Sequence, residues 1–138
     1  MSSYDLSLDH DRHLILVVIR GELMQDDGSE IITVTRQKAS ELNYNILYDM
    51  REATTNVPFS SWYRLPRELE VFSDHNIRRH KAVLLVSKTD KALKGYEFYS
   101  IVTENLGIKV RVFFEPDEAL EWLTGKSPAA PPAGLPGH

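Results

Sequence analysis

Residues 14–19 read LILVVI, an unbroken run of apolar and mostly β-branched residues. A strand with one face in water alternates apolar and polar residues, whereas an unbroken apolar strand is typical of a sheet covered on both faces. No apolar run in the chain is longer, and this one falls far short of the roughly 20 residues that a membrane-spanning helix requires. The run therefore predicts a core strand buried on both faces.

The rest of the chain alternates strand and helix patterns around this run. Residues 4–9 alternate apolar and polar side chains and, with the polar turn at 10–13, predict an antiparallel hairpin whose first strand lies at or near a sheet edge. Further core strands are predicted at 46–50, 81–86 and 109–114, and a loop at 51–59. Strands that alternate with helices are joined by right-handed crossovers. The order therefore predicts an α/β fold with a mixed, mostly parallel sheet of about five strands, an N-terminal antiparallel hairpin and four helices.

The four helices are predicted at 30–42, within 60–73, at 92–106 and at 116–124. Asp27 or Ser29 is expected to cap the first, and Gly107 is expected to end the third in the left-handed conformation. Pro66 leaves two alternatives for the second helix. This helix either starts at Ser60 and continues through Pro66 with a distortion, or begins with Pro66 at its first position after a preceding turn.

Composition limits the kinds of protein that this chain can be. Its 138 residues carry a net charge of −4 and include no cysteine. An acidic chain lacks the basic excess of a nucleic-acid binder, and the absence of thiols excludes disulfides and thiolate metal sites. The N-terminus does not read as a secretory signal, so we expect a cytoplasmic protein with one domain at residues 1–125. Residues 126–138, rich in proline and glycine, are expected to form a disordered tail.

Three segments of the chain resemble a known family. They are NILYDMRE (45–52), RRHKAVLLVS (78–87) and KVRVFFEPDEALEWL (109–123), the last with a strand ending in aromatic residues before an acidic helix. Together they resemble STAS-fold domains, and specifically the SpoIIAA-like branch, sometimes grouped as STAS/SEC14-type, over residues 4–124. The resemblance implies the fold described above and a domain that binds a protein partner or a lipophilic ligand rather than one that catalyses a reaction.

Ser60 and Ser61 stand where anti-anti-sigma STAS proteins carry a serine that a partner kinase phosphorylates. In that family the serine lies in a stretch like Asp-Ser-Ser-Gly-Leu, whereas residues 59–63 here read FSSWY. Both serines remain, but Phe59 replaces the acid and the bulky Trp62 replaces the glycine, which would obstruct a kinase. From the residues alone, the serines either cap the second helix or form a phosphorylation or anion site at its N-terminus.

Two further groups of side chains are candidates for a site. The first belongs to the core, or lines an apolar cleft or partner surface on the second and third helices: Trp62, Tyr63, Phe72, Tyr96, Phe98 and Tyr99. The second lies at the ends of core strands and forms either a polar site or simple surface pairs between Asp49 and Arg51 or Lys88: Asp49, Thr54, Thr55 and Lys88. The histidines have no recognised metal-ligand spacing, so no metal site is predicted.

We predict a non-enzymatic STAS-like regulatory or interaction module that binds a protein partner, with a serine at the start of the second helix as a switch. The alternative is a carrier or sensor of a small lipophilic ligand in a cleft between helix and sheet. The chain has no phosphate-binding loop, nucleophile elbow or dinucleotide fingerprint, so no cofactor is predicted. An enzyme acting through the polar strand ends is an alternative without a named reaction. The exposed edge of the first strand also predicts a homodimer.

Overall fold

Five strands and four α-helices make up the computed structural model, which describes residues 2–125. The strands are Ser2–Asp9 (β1), Leu14–Leu23 (β2), Asn45–Thr55 (β3), Ala82–Leu85 (β4) and Val110–Phe113 (β5). The helices are Gln25–Leu42 (α1), Phe59–Glu68 (α2), Leu93–Asn105 (α3) and Pro116–Thr124 (α4). Two short 3-10 helices, Glu70–Ser73 and His75–Arg79, connect α2 to β4. The predicted tail at 126–138 lies outside the described residues.

The strands of the sheet lie side by side in the order in which they occur in the sequence. β1 and β2 pair antiparallel, with Tyr4 opposite Ile19, and β2 to β5 then run parallel to one another. Each new parallel strand is reached through a helical crossover. The predicted mixed α/β sheet with an N-terminal hairpin and four helices is therefore confirmed.

The two faces of the sheet are covered unequally. Right-handed crossovers between successive parallel strands place their helices on one face, so α1, α2 and α3 share a face and α4 packs on the other. In β2, Ile15 packs on the side of the three helices and Leu14 on the side of α4, and neither is exposed. The predicted burial of this strand on both faces is confirmed where α4 covers it.

The part of the sheet that α4 leaves open carries charged side chains. On this face, Nη1 of Arg20 on β2 lies 2.6 Å from the carboxylate of Asp5 on β1, and its Nε lies 3.6 Å from that of Glu52 on β3. All three side chains are largely exposed, so water and salt screen both pairs and each pair contributes little to stability. Their main effect is to keep this face hydrated.

β2 and β3 extend further than the sequence pattern predicts. Residues 51–55, expected in a loop, continue β3 beside β2 from the pair Arg20–Glu52 to the pair Leu23–Thr55. The register shifts by one residue just before this extension, between Val18 and Arg20 of β2. The loop prediction is confirmed at 56–58 and wrong at 51–55, where the exposed polar side chains of Arg51, Glu52 and Thr54 hide the strand periodicity.

α1 also begins earlier than predicted, at Gln25. Its N-cap is Met24, so neither Asp27 nor Ser29 caps it. Asp27 instead accepts a hydrogen bond of 3.4 Å from the backbone N–H of Met24, which places a carboxylate in the first turn, where the helix dipole favours it. At the end of α3 the prediction is confirmed, since Gly107 follows the helix with a φ of 80°.

Pro66 lies inside α2, so the first of its two predicted arrangements is confirmed and a helix start at Pro66 is wrong. Proline has no N–H to donate to the carbonyl of Trp62, four residues earlier, and its ring crowds that carbonyl. α2 ends two residues later, at Glu68, and the chain continues as 3-10 helix. Pro66 therefore limits α2 to a short helix.

Gly95 sets the distance between α2 and α3. A Cβ atom at this position would lie 2.5 Å from Nε1 and 2.7 Å from Cε2 of Trp62, whose buried ring packs edge-on against Tyr96 and Tyr99. We therefore expect Gly95→Ala to lower the free energy of unfolding by about 1–3 kcal/mol through overpacking. Urea unfolding followed by circular dichroism measures the change.

Gly28 in α1 is the matched control for this substitution. Nothing lies within 4 Å of a Cβ atom built there. Since alanine is a better helix former than glycine, we expect Gly28→Ala to raise the free energy of unfolding by up to about 1 kcal/mol. Equal effects of the two substitutions would contradict the close contact between Gly95 and Trp62.

Candidate functional site

The start of α2 separates the two adjacent serines. The helix begins at Phe59 with Pro58 as its N-cap, and neither serine makes the predicted side-chain cap. Ser60 is exposed. Ser61 is completely buried, and its hydroxyl donates a hydrogen bond of 2.9 Å to Oε1 of Gln25 on α1. The capping prediction is wrong because the helix starts before the serines, and of the two only Ser60 is accessible.

Four apolar side chains on the outer side of α2 and α3 are in partial or full contact with solvent. We call them the outer aromatic surface: Phe59, Tyr63, Phe98 and Ile101. The ring of Phe98 stacks on Phe59 with centroids 4.8 Å apart and lies 6.5 Å from that of Tyr63. Phe59 is 57% exposed, Tyr63 46% and Ile101 55%. Exposed apolar side chains grouped in this way are typical of an interaction surface.

Cationic side chains border the outer aromatic surface. The guanidinium carbon of Arg67 lies 4.3 Å from the ring centroid of Tyr63, within the range of a cation–π contact. Arg64 on α2 and Lys94 on α3 are also exposed. At Arg67 the surface therefore combines an aromatic ring with a positive charge, although the chain as a whole is acidic.

The predicted aromatic residues divide between the two sides of the helices. Tyr63 and Phe98 lie on the outer aromatic surface, whereas Trp62, Tyr96 and Tyr99 pack together in the core, with the Trp62 ring edge-on to both tyrosines. Phe72 is half-buried in the 3-10 segment and packs against the edge of this core. The sequence prediction did not include Phe59 as a surface aromatic residue. Its spacing of four residues from Tyr63 is the signal that could have found it.

On the inner side of α2, a cavity of about 60 Å³ lies between the sheet and the helices α1, α2 and α3. Its wall is mainly apolar and includes Ile19, Ile31, Met50, Trp62, Leu65 and Leu84. A water molecule requires about 10–15 Å³ of such volume and two or more polar partners. The cavity therefore has room for more than one water molecule but offers few groups to bind one, which favours an apolar occupant.

A few polar side chains also border the cavity. The hydroxyl of Tyr96 is 2.5 Å from that of Thr55. Burial raises the pKa of Tyr96 to about 12 and also raises the pKa of Tyr99, so both phenols stay protonated at neutral pH. Arg36 and Gln25 of α1 complete the polar part of the wall.

The predicted polar strand ends do not form a common site. Asp49 is paired with Arg51, whose Nε and Nη2 donate hydrogen bonds of 2.9 and 2.8 Å to its carboxylate. Thr55 bonds to Tyr96 beside the cavity, whereas the amino group of Lys88 lies 5.7 Å from the ring centroid of Phe114. Thr54 is exposed. The interpretation of Asp49 as part of a surface ion pair with Arg51 fits this geometry.

Neither a metal centre nor a membrane span emerges from the described part of the chain. Residues 2–125 contain no group of three histidine, cysteine, aspartate or glutamate side chains placed to hold a metal ion. No helix within the same range is long and apolar enough to cross a bilayer.

Comparisons with known proteins found similar folds among solved structures but no match to a family profile or to a curated protein. Among solved structures, the anti-sigma factor antagonist SpoIIAA in its unphosphorylated form is 18% identical, with a TM-score of 0.50, and the match covers 90% of this chain and 100% of that one.

A second solved structure is similar to the same extent. It is an uncharacterised protein of the DUF3478 family from Shewanella loihica PV-4, described as having a SpoIIAA-like fold. It is 16% identical, with a TM-score of 0.53, and the match covers 88% of this chain and 93% of that one. Identities this low establish the fold alone. The predicted STAS-type, SpoIIAA-like domain is confirmed at that level.

The different burial of the two serines leads to a stability prediction. Ser61→Ala removes the hydrogen bond to Gln25 from a fully buried site and should lower the free energy of unfolding by about 0.5–1.5 kcal/mol. The exposed neighbour provides the control, because Ser60→Ala should change the free energy of unfolding by less than about 0.5 kcal/mol. Urea unfolding of both variants measures the difference, and equal effects would contradict the burial of Ser61.

The pairing of Asp49 with Arg51 leads to a prediction about pH. Hydrogen bonds from Arg51 lower the pKa of the Asp49 carboxyl below its ordinary value. The pair therefore adds stability above the pKa of the unfolded chain, and this contribution is lost as the pH falls through the lower folded pKa. We expect Arg51→Met to raise the pKa of Asp49 in an NMR titration of the carboxyl carbons. The matched control is Arg12→Met, whose partner is Asp9, and this variant should leave the pKa of Asp49 unchanged.

Proposed function

We propose that this chain is a non-enzymatic regulatory or interaction module that binds a protein partner through the outer aromatic surface of α2 and α3. The observation that carries the proposal is the exposure of Phe59 and Tyr63, which stand on one side of α2 and stack with Phe98 instead of entering the core. Tyrosine, phenylalanine and arginine are enriched at protein interfaces. Leaving these side chains in water serves no purpose in packing.

The chemistry of the surface suggests what the partner presents. The guanidinium of Arg67 lies against the ring of Tyr63, whereas the exposed bases and acids of α2 and α3 otherwise balance one another. A segment with apolar side chains and a carboxylate that reaches Arg67 would match both features. SpoIIAA, whose fold this chain shares, is described as an antagonist of an anti-sigma factor, which is itself a protein. A protein partner is therefore in keeping with the fold.

Ser60 is the serine that fits a switch on this surface. It is exposed on α2 between Phe59 and the buried Ser61. A phosphate there would lie in the first turn of the helix, where the dipole favours negative charge, and next to the aromatic surface that the partner covers. Ser61 does not fit, because a phosphate on its buried hydroxyl would require α1 and α2 to separate.

The carrier or sensor of a small lipophilic ligand is the second candidate, and the apolar cavity supports it. At about 60 Å³ the cavity is too small for a long acyl chain. An engineered cavity of about 150 Å³ is of the size that binds benzene. A ligand would therefore be small, or would require α2 to move outward.

The predicted homodimer through β1 stays a prediction. β1 pairs with β2 along one side, and its exposed face carries Asp5 and serine side chains. Light scattering of the purified chain over a range of concentrations measures its mass and decides the question.

Partner binding is tested by quantitative pull-down from the native cells, followed by titration of the partner that is captured. Tyr63→Ser and Phe98→Ser should each weaken binding at least about tenfold, since truncation of a central aromatic anchor costs 1.4 kcal/mol or more. The control is Val34→Ser, which alters an exposed apolar side chain on α1, outside the surface. Ser60→Glu tests the switch in the same titration and should also weaken binding.

All four variants should keep the unfolding temperature within a few degrees of the unmodified chain, because the side chains are partly or fully exposed. A partner that binds all variants equally would show that the interaction surface lies elsewhere. Loss of binding in Val34→Ser alone would show that the interaction surface lies on α1.

A further inference from the structure

Arg36 is a buried cation without a counter-ion in the described part of the chain. It lies in the middle of α1 and is only 3% exposed. None of the ion pairs within residues 2–125 includes it. Its guanidinium donates one hydrogen bond, of 3.0 Å from Nη1 to the carbonyl oxygen of His80. Arginine keeps its charge at every physiological pH, so this side chain cannot escape the cost of burial by losing a proton.

The buried charge of Arg36 lies beside the cavity. Arg36 borders the cavity together with the core residues of α2 and α3. One side of its guanidinium is occupied by Phe72, whose ring centroid lies 6.0 Å from Cζ. The bond to the carbonyl oxygen of His80 is the one hydrogen bond that joins its guanidinium to the residues of the range 2–125.

A second buried donor borders the same cavity. Tyr99 is 5% exposed, and no residue in the described range accepts or donates a hydrogen bond at its hydroxyl. The other two buried tyrosines there are satisfied, because Tyr48 is bonded to Thr35 and Tyr96 to Thr55. Arg36 and Tyr99 both line the wall of this one cavity. Each of them can donate to an oxygen anion.

We propose that the cavity is a binding site for a small apolar monocarboxylate, whose carboxylate pairs with Arg36 and accepts a hydrogen bond from Tyr99. The inference rests on the second candidate function, a lipophilic ligand between helix and sheet, and names the class of that ligand. An apolar pocket with a few placed polar groups is the usual form of a small-molecule site.

Two other classes of ligand match these observations less well. A neutral hydrocarbon or alcohol would fill the apolar wall but leave the guanidinium without an anion. A compact hydrophilic anion such as inorganic phosphate would pair with Arg36 but leave the apolar wall against a charged group. A carboxylate with a short hydrocarbon body satisfies both parts of the site.

The test uses the full chain and a series of short straight-chain carboxylates from propanoate to hexanoate, each beside the 1-alkanol of the same length, because the cavity is too small for a long acyl chain. Binding is measured by isothermal titration calorimetry and by the shift in unfolding temperature. We expect the best carboxylate to bind at least about tenfold more tightly than its alcohol, as a charge-assisted hydrogen bond predicts. Inorganic phosphate should give no shift.

Two variants test whether Arg36 and Tyr99 cause the preference for acid over alcohol. Arg36→Met keeps an unbranched apolar side chain in place of the arginine stem and removes the charge, so the preference for acid over alcohol should fall to about one. Tyr99→Phe removes only the hydroxyl and should reduce the preference by a smaller factor. Arg67→Met, on the outer surface, is the matched control and should leave it unchanged. Without ligand, Arg36→Met should unfold at the same temperature or higher, because the buried charge is gone.

The outcomes separate this proposal from the functions above. If acids and alcohols bind equally, the cavity takes apolar ligands but the carboxylate assignment is wrong. If neither series binds or shifts the unfolding temperature, both the assignment and the lipophilic-ligand function are wrong. A destabilised Arg36→Met that keeps the preference for acids would give Arg36 a purely structural role. If Arg36→Met does not fold, the comparison of acid with alcohol in the unmodified chain and in Tyr99→Phe still decides.

Discussion

The direction in which the sheet grows is the constraint on which the rest of this structure depends. Each parallel strand is added on the same side of the previous one, from β2 to β5, so every right-handed crossover lies on the same face. Three helices must therefore cover that face, while α4 alone covers part of the other. The crowded face contains the core, the cavity and the helices that carry the outer aromatic surface. The open face is hydrated and bears the ion pairs of Arg20.

One side of α2 faces the cavity and the other faces solvent, so this helix takes part in both candidate functions. Trp62 and Leu65 face the cavity, whereas Phe59 and Tyr63 face solvent and stack with Phe98 of α3. The contact of Trp62 with Gly95 fixes how close the two helices lie. A ligand that enlarged the cavity would press on this contact and would shift the rings on the outer side. Ligand binding and partner binding would then be coupled through one short helix.

Much of the fold follows from the sequence, and the site follows from it only in part. Unbroken apolar runs such as 14–19 identify core strands because burial on both faces leaves no position for a polar side chain. The extension of β3 to Thr55 was not predictable in this way, since its outward side chains are polar. Arg36 was not predictable either, because a basic residue in the middle of a helix normally lies in water. Its burial results from the 3-10 segment that packs beside α1 and brings the carbonyl of His80 to it. The cavity is the space that three helices leave between them, and no local pattern reports it.

Pro66 affects how easily α2 opens locally as well as how the helix is built. The helix has ten residues, lacks a side-chain cap at its N-terminus and cannot complete the bond from Pro66 to the carbonyl of Trp62. Local opening in proteins begins in segments with few backbone bonds of their own. In hydrogen exchange, the amides of α2 would lose protection before those of the central strands. The wall of the cavity that α2 forms also carries the outer rings, so local opening of this helix would reach the interior without any separation of strands.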